Sequence, residues 1–258
     1  MPRDSDSRTP RTLLRELRLW CSGALGQRLA EAEQQVLDEV LGDIFGYHLV
    51  VVDPSCQSES LAASRIIHRV VLTVSDDGLS MPAGLLGAAE RLPLQSDSID
   101  ALLLPHVLEH ATDVHQVLRE VDRCLVPEGH VIILGFNPFG WWGLRRLLFG
   151  WRGQVPWSLR FISLPRVKDW LSLLGFDAVH TRYFFPHPPW QVGCEGSGDA
   201  LLRRLHRSHW PLLAGVWILV ARKRVATLTP IKPRWRPRRA LLAGGVAETR
   251  EGGLHTRG

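Results

Sequence analysis

The strongest constraint on the fold of this chain is a strand–loop–helix–strand pattern within residues 96–134. An apolar run at 99–104 predicts a buried strand, and a second such run at 130–135 predicts another. Between the two runs, apolar residues recur at helical spacing over 113–125, and Asp113 is placed to cap the start of that helix. Two strands joined in this way are typical of a parallel βαβ unit, in which helices cover both faces of the sheet.

The same alternation continues on both sides of this unit. The pattern predicts helices at 12–20, 27–45, 59–67, 165–174 and 199–207, and strands at 48–52, 69–74, 84–88, 176–184 and 215–222. We therefore predict a single α/β domain over residues 11–225, preceded by a disordered N-terminus at residues 1–10.

The positive charge of the chain is concentrated near its C-terminus. The net charge is +5, but residues 222–239 alone contain eight basic residues and no acidic residue, so the rest of the chain is net negative. A Pro- and Arg-rich composition predicts a disordered tail over residues 226–258. Such a tail either contacts RNA, DNA or anionic lipid or stays solvated without a partner, and the sequence leaves both alternatives open.

Composition also bears on location. The longest apolar stretch, residues 212–221, is well short of the ~20 residues that span a bilayer. The polar first ten residues do not resemble a secretory signal. The four cysteines form no CxxC pair, which argues against a zinc knuckle or a redox dithiol. We expect a cytoplasmic protein with reduced thiols.

The string His106-Val-Leu-Glu109-His110 has two interpretations. H-x-x-E-H is the inverted zinc-protease motif, which requires both histidines on one face of a helix. Here the string follows an apolar strand directly, and the next helix has its own start at Asp113. The sequence therefore predicts a loop at a strand end and no metal site.

The residues around this string carry a resemblance to a known family. In order they are Ala89-Glu90-Arg91-Leu92-Pro93-Leu94, Ser96-Asp97-Ser98-Ile99-Asp100, His106-Val107-Leu108-Glu109-His110 and the helix and turn at 118–129. Their order and spacing resemble the type-11 branch of the class I S-adenosylmethionine-dependent methyltransferases, which includes quinone-biosynthesis enzymes. The resemblance implies a Rossmann-like fold: a mostly parallel seven-stranded sheet with helices on both faces and an antiparallel last strand.

The resemblance also implies S-adenosyl-L-methionine as the cofactor, bound at the carboxyl ends of the strands. The residues expected to contact it are Asp53 and Ser55 after the first strand, Asp76 or Asp77 after the second, Ala89 and Glu90 before the fourth, and Leu104 and His106 at its end. One departure concerns the glycine-rich turn of the family, which is replaced here by Asp53-Pro54-Ser55-Cys56-Gln57, without glycine. Another is Ala88, which stands where an acidic residue usually meets the adenine.

The function that follows is methylation of a small, aromatic or lipophilic molecule. If the acceptor atom is oxygen, His106 is the candidate general base; its alternative role is to hydrogen-bond the loop. Aromatic residues after the fifth strand either border the acceptor site, contact a membrane surface or pack as a helical cover: Phe136, Phe139, Trp141, Trp142 and Trp151. The alternative function is an inactive methyltransferase-like binding or regulatory module, associated with RNA through the basic tail. The oligomeric state stays open.

Overall fold

The computed structural model describes residues 9–54, 64–74, 84–149, 154–187 and 214–225. All of these belong to one compact unit, Met1–Val225. The predicted N-terminus up to residue 8, the predicted helix at 199–207 and the predicted tail at 226–258 lie outside the described residues. Most of the predicted helix at 59–67 is also outside them, and residues 64–67 are not helical.

Seven strands form one sheet in the order β3-β2-β1-β4-β5-β7-β6. They are β1 (His48–Val52), β2 (His68–Thr73), β3 (Leu85–Leu86), β4 (Ile99–Pro105), β5 (Leu125–Phe136), β6 (Phe176–Phe184) and β7 (Val216–Lys223). β1 to β5 pair in parallel, whereas β7 lies between β5 and β6 and is antiparallel to both. The predicted fold class, including the antiparallel last strand, is confirmed.

Helices cover both faces of this sheet. They are α1 (Pro10–Cys21), α2 (Ala24–Leu41), α3 (Val107–His110), α4 (Val114–Cys124), α5 (Trp141–Phe149) and α6 (Leu164–Leu173). One apolar layer packs α4 and α6 against the sheet, and the other packs α1, α2 and α5 against the opposite face. Residues 101–104 of β4 are all apolar because both faces of the strand are buried: Leu102 and Leu104 belong to the first layer, and Leu103 belongs to the second.

Helix α4 begins where the sequence predicts. The Asp113 carboxylate accepts hydrogen bonds from the backbone N–H groups of His115 and Gln116, at 2.9 and 3.1 Å. This satisfies donors that have no partner within the helix. The apolar side chains of α4 form one buried stripe, and the stripe fixes the helix on the sheet: Val114, Val117, Leu118, Val121 and Cys124.

Two features differ from the sequence-based expectations. β5 starts at Leu125 and not near residue 130, because Leu125 already pairs with Ile99 of β4 before a register shift. Cys21 is half of a disulfide, so the expectation of reduced thiols fails there, whereas Cys124 is a free, buried thiol. Within the described residues, no helix combines the length and apolar character needed to cross a membrane.

The basic C-terminal segment begins inside the fold. Arg222 and Lys223 are the last residues of β7. The Lys223 ammonium lies 3.1 Å from the Asp97 carboxylate, and Arg224 lies 2.9 Å from Asp177. Arg222 also forms an ion pair, with Glu128. The first three basic residues of the segment therefore form surface ion pairs at the end of the last strand.

Candidate active site

The candidate site lies at the edge of the sheet where the carboxyl ends of β1, β2 and β4 meet. These strands are parallel neighbours, so the residues that follow them come together. The chain continues from β1 outward to β2 and β3 on one side and from β4 to β5 on the other. The gap between β1 and β4 is thus the topological switch point, where open α/β sheets bind their ligands.

Asp53 makes the turn after β1 that a glycine would ordinarily make. Its φ is +46°, in the left-handed region that Asp tolerates better than most residues. The buried carboxylate accepts a hydrogen bond from the backbone N–H of Val74 at 3.0 Å. Burial raises the pKa of Asp53 to about 6, although the hydrogen bonds from Thr73 and Val74 and the charge of Arg18 each lower it. Asp53 therefore links the ends of β1 and β2.

Arg18 reaches the same edge from helix α1. Its guanidinium donates to the Pro54 carbonyl at 3.1 Å and to the Thr73 hydroxyl at 2.8 Å. The residue is buried, on the same helical stripe as Leu14 and Cys21. Sequence reasoning missed Arg18, although a charged residue on an apolar stripe is a signal that can be read.

The other residues expected to contact the cofactor divide into two groups. Glu90 accepts a hydrogen bond from the Thr112 N–H at 2.8 Å, and Ala89 and Leu104 are both buried in the apolar layer that packs α4 and α6 on the sheet. The structure thus brings Asp53, Ala89, Glu90, Leu104 and His106 to the same edge. Ser55, Asp76 and Asp77 lie outside the described residues.

His106 follows β4 directly and is fully buried. Its φ is +58°, and its Nε2 lies 2.7 Å from a carboxylate oxygen of Glu33, itself fully buried on helix α2. The imidazole ring also stacks on Phe136, with the ring centroids 4.1 Å apart. Glu33 is a second residue that sequence reasoning missed, although it shares the buried face of α2 with Leu29 and Leu37.

The protonation of His106 follows from this environment. Burial alone lowers the pKa of the ring, but the carboxylates of Glu33 and Glu109 outweigh it and raise the pKa to about 10. At neutral pH the ring is therefore an imidazolium that donates to Glu33. A protonated ring cannot accept a proton, so this geometry gives no support to His106 as the general base.

We expect the Glu33–His106 pair to lose stability in alkaline solution. The folded-state pKa of His106 is raised from 6.5 to about 10. Its contribution is therefore fully present below pH 6.5 and falls as the pH rises through 10. Urea unfolding of the wild type and of His106→Asn across this range measures the effect. The difference in the free energy of unfolding between the two should shrink by a few kcal/mol; a constant difference would argue against the ion pair.

Glu109 fixes the loop against β5. One carboxylate oxygen accepts a hydrogen bond from the backbone N–H of Phe136 at 2.8 Å, and the other has no hydrogen-bond partner in the described segments. The close approach depends on Gly135. A Cβ there would lie 2.3 Å from the Trp217 ring and 2.9 Å from the Glu109 carboxylate, so a larger residue would force them apart.

The H-x-x-E-H string is divided between a strand end and one helical turn, α3, which starts after His106. His106 hydrogen-bonds to Glu33, whereas the buried His110 ring has no hydrogen-bond partner within the part of the chain that the structure describes. Among the described residues, no group of three or more His, Cys, Asp or Glu side chains is arranged to hold a metal ion.

A column of aromatic rings leads away from His106. Phe136 stacks on His106 on one side and on Trp142 on the other, with 5.5 Å between the Phe136 and Trp142 centroids. Trp142 in turn contacts Trp20 edge to face, with the centroids 5.9 Å apart. Trp20 borders a cavity of about 570 Å³ between α1, the start of α2 and α5. Its walls are mostly apolar: Glu16, Leu19, Trp20, Gly23, Ala24, Leu25, Gly26, Arg145, Gln154, Val155 and Trp157.

The aromatic residues at the end of β5 and beyond it divide between the core and the surface. Trp142 is buried on α5 as part of the helical cover, and Phe136 is the buried last residue of β5. Phe139 and Trp141 are exposed, as are the apolar side chains of α5 that follow them, Leu144, Leu147, Leu148 and Phe149. Trp151 lies outside the described residues.

Three comparisons place the chain among known proteins. Residues 35–133 match the family model described as a methyltransferase domain. The chain is 34% identical over 236 residues to the uncharacterized protein YafS of Escherichia coli, covering 90% of this chain and 93% of that one. It is 28% identical over 165 residues to the ubiquinone/menaquinone biosynthesis C-methyltransferase UbiE of Rubrivivax gelatinosus, covering 60% of this chain and 57% of UbiE.

The fold is also found in solved structures. The structure of an S-adenosylmethionine-dependent methyltransferase from Thermotoga maritima matches with a TM-score of 0.56 and 18% identity, covering 76% of this chain and 89% of that one. At this identity the likeness shows the fold. Together with the sequence matches, it shows that the chain belongs to the class I S-adenosylmethionine-dependent methyltransferases, a family whose cofactor is S-adenosyl-L-methionine.

Proposed function

We propose that this protein transfers the methyl group of S-adenosyl-L-methionine to a small aromatic or lipophilic molecule. The observation that carries the proposal is the cluster of polar side chains at the switch point, which includes Asp53, Glu90 and His106. An apolar cavity of about 570 Å³ lies on the face of the sheet that α1, α2 and α5 cover, and the packed rings of Phe136, Trp142 and Trp20 separate it from His106. Ligand pockets in proteins have volumes of roughly 300–1,000 Å³ and mostly apolar walls with a few polar groups.

The described residues at the strand ends fit the cofactor. Asp53 and Pro54 after β1, the segment Ala89–Glu90, and Leu104 with His106 at the end of β4 would frame it. Some buried polar atoms there have no hydrogen-bond partner among the described residues: both ring nitrogens of His110, Nδ1 of His106 and one oxygen of Glu109. Such atoms are rare inside proteins, and a bound ligand or an ordered water would supply the missing partner. The left-handed turn at Asp53 supports the fit, because it keeps the bend of the glycine turn without a glycine.

The chemistry places modest demands on the protein. The cofactor supplies a methyl group on a sulfonium, which is electrophilic without further activation. The residues of the chain then have to align the acceptor and exclude water. In this proposal His106 is a positioning residue: its ion pair with Glu33 joins α2 to the end of β4 and holds the Phe136 ring.

The walls of the cavity favour an apolar acceptor. Trp20, Leu25 and Trp157 offer flat or aliphatic contacts, and the charged groups of Glu16 and Arg145 lie at its border. One relative is named as a C-methyltransferase of ubiquinone and menaquinone biosynthesis. A lipophilic ring compound of that kind agrees with the apolar walls. The exposed apolar side chains of α5 are consistent with peripheral contact at a membrane, where such acceptors dissolve.

Isothermal titration calorimetry with S-adenosylhomocysteine tests the proposal. We expect binding, and a stabilisation of about 2.7 kcal/mol when the ligand is at about one hundred times its Kd. ATP, which shares the adenosine but lacks the amino-acid part, is the control ligand and should bind far more weakly. If millimolar S-adenosylhomocysteine gives no heat and no thermal shift, the proposed enzymatic activity is contradicted. That result would favour the alternative function, a methyltransferase-like binding module.

A further inference from the structure

The His110 side chain has an unusual environment. It is the last residue of α3, directly after β4, and only 4% of the residue is exposed. Neither ring nitrogen has a hydrogen-bond partner among the described residues. Leaving a buried donor and a buried acceptor without partners costs free energy, so an arrangement of this kind calls for an explanation.

The groups around His110 are those of the candidate site. The charges that act on its ring belong to Glu109, Glu90, His106 and Arg18, which come from α1, the segment after β3, and the end of β4. His110 therefore lies within the cluster that borders the switch point. None of these groups hydrogen-bonds to the His110 ring, although they include the carboxylates of Glu109 and Glu90 and the guanidinium of Arg18.

The ring is neutral in this environment. Burial lowers the pKa of His110 to about 4, against the carboxylates of Glu109 and Glu90, which raise it. A neutral imidazole has one N–H donor and one nitrogen acceptor. The chemical group that meets either need is a hydroxyl, because a hydroxyl both donates and accepts.

We propose that His110 binds a hydroxyl group of the ligand held at the switch point. The inference rests on the proposed function and adds a residue that was not among those expected to contact the cofactor. Two ligands offer this chemistry: the cofactor has ribose hydroxyls, and a phenolic or alcoholic methyl acceptor has its own. His110 is in either case a binding residue, which selects ligands that carry a hydroxyl at this point.

Calorimetry on wild type, His110→Phe and His110→Asn tests the inference, with His115→Phe as the matched control. His115 lies on the exposed start of α4, where its ring meets Trp170. The probes are S-adenosylhomocysteine, its analogue without ribose hydroxyls, and phenol in the presence of S-adenosylhomocysteine. Loss of a buried hydrogen bond should weaken binding by about tenfold in His110→Phe, with partial recovery in His110→Asn and no change in His115→Phe.

The arms separate the two sources of the hydroxyl. If the ribose is bound, His110→Phe weakens S-adenosylhomocysteine binding, and the analogue without hydroxyls binds wild type and variant equally. If the acceptor is bound, only phenol binding weakens. In ¹⁵N-histidine NMR spectra, the His110 ring signals should shift when the responsible probe is added to the wild-type protein.

The contradicting results are also distinct. The inference alone would be overturned if the wild type binds S-adenosylhomocysteine, His110→Phe changes the binding of no probe, and the ring signals do not shift. A buried water would then be the hydrogen-bond partner of the ring. Absence of binding to the wild type would overturn the proposed function, and this inference with it.

Discussion

Replacing Glu33 with Gln should lower the free energy of unfolding by about 3–5 kcal/mol. The carboxylate and the His106 ring form an ion pair at 2.7 Å, and both side chains are 0% exposed. Glu33→Gln keeps the shape of the side chain but leaves the His106 cation buried opposite a neutral amide. Removing one member of a buried pair is costly because the remaining charge has lost its compensation. Urea unfolding monitored by circular dichroism measures the loss.

Glu39 provides the matched control on the same helix. Its carboxylate pairs with Arg182 at 2.6 Å, but the Glu39 side chain is 67% exposed, so water screens the pair. Glu39→Gln should therefore cost about 1 kcal/mol or less. If Glu33→Gln proved no more destabilising than Glu39→Gln, the buried ion pair would not hold α2 on the sheet.

Replacing Trp142 with Ala should destabilise the protein by about 3–5 kcal/mol. The Trp142 ring is fully buried and contacts the rings of Trp20, Phe136, Trp157 and Phe185. Its indole N–H donates to the His187 carbonyl at 2.9 Å, so the substitution also removes a hydrogen bond. The cavity left behind would merge with space beside Trp20 and Trp157, which already line the proposed acceptor cavity.

The neighbouring Trp141 is the control. It has the same side chain and lies on the same helix, but it is 36% exposed, against 0% for Trp142. Trp141→Ala should destabilise the protein less than Trp142→Ala, since part of the Trp141 side chain already contacts water in the folded state. Equal midpoints of thermal unfolding for the two variants would mean that Trp142 does not anchor the aromatic column.

The sheet could be predicted from sequence because its signal is local. Each parallel strand is an apolar run with turn residues on either side, and α4 has both a cap and a stripe. The order of these elements then leaves few topologies. The strand-end positions of Asp53, Glu90 and His106 follow from the same argument, since residues after neighbouring parallel strands meet at one edge.

The rest of the site could not be predicted because it depends on helix packing. Arg18 and Glu33 reach the strand ends from α1 and α2, whose orientation on the sheet is not encoded in any short pattern. Their position on apolar stripes indicated burial without naming a partner. The role of His106 changed for the same reason: without Glu33, 73 residues away in sequence, its ring would be an ordinary candidate base.

The two N-terminal helices also bear on where the functional domain begins. The family model matches residues 35–133, a stretch that contains His106, Asp53 and Glu90. Arg18 and Glu33 both precede it, and they bind the backbone after β1 and the ring after β4. A boundary drawn at the matched stretch would therefore separate the strand ends from side chains that complete them. The part of the fold that builds the candidate site therefore extends to α1, and comparisons of this site with those of other methyltransferases should include both helices.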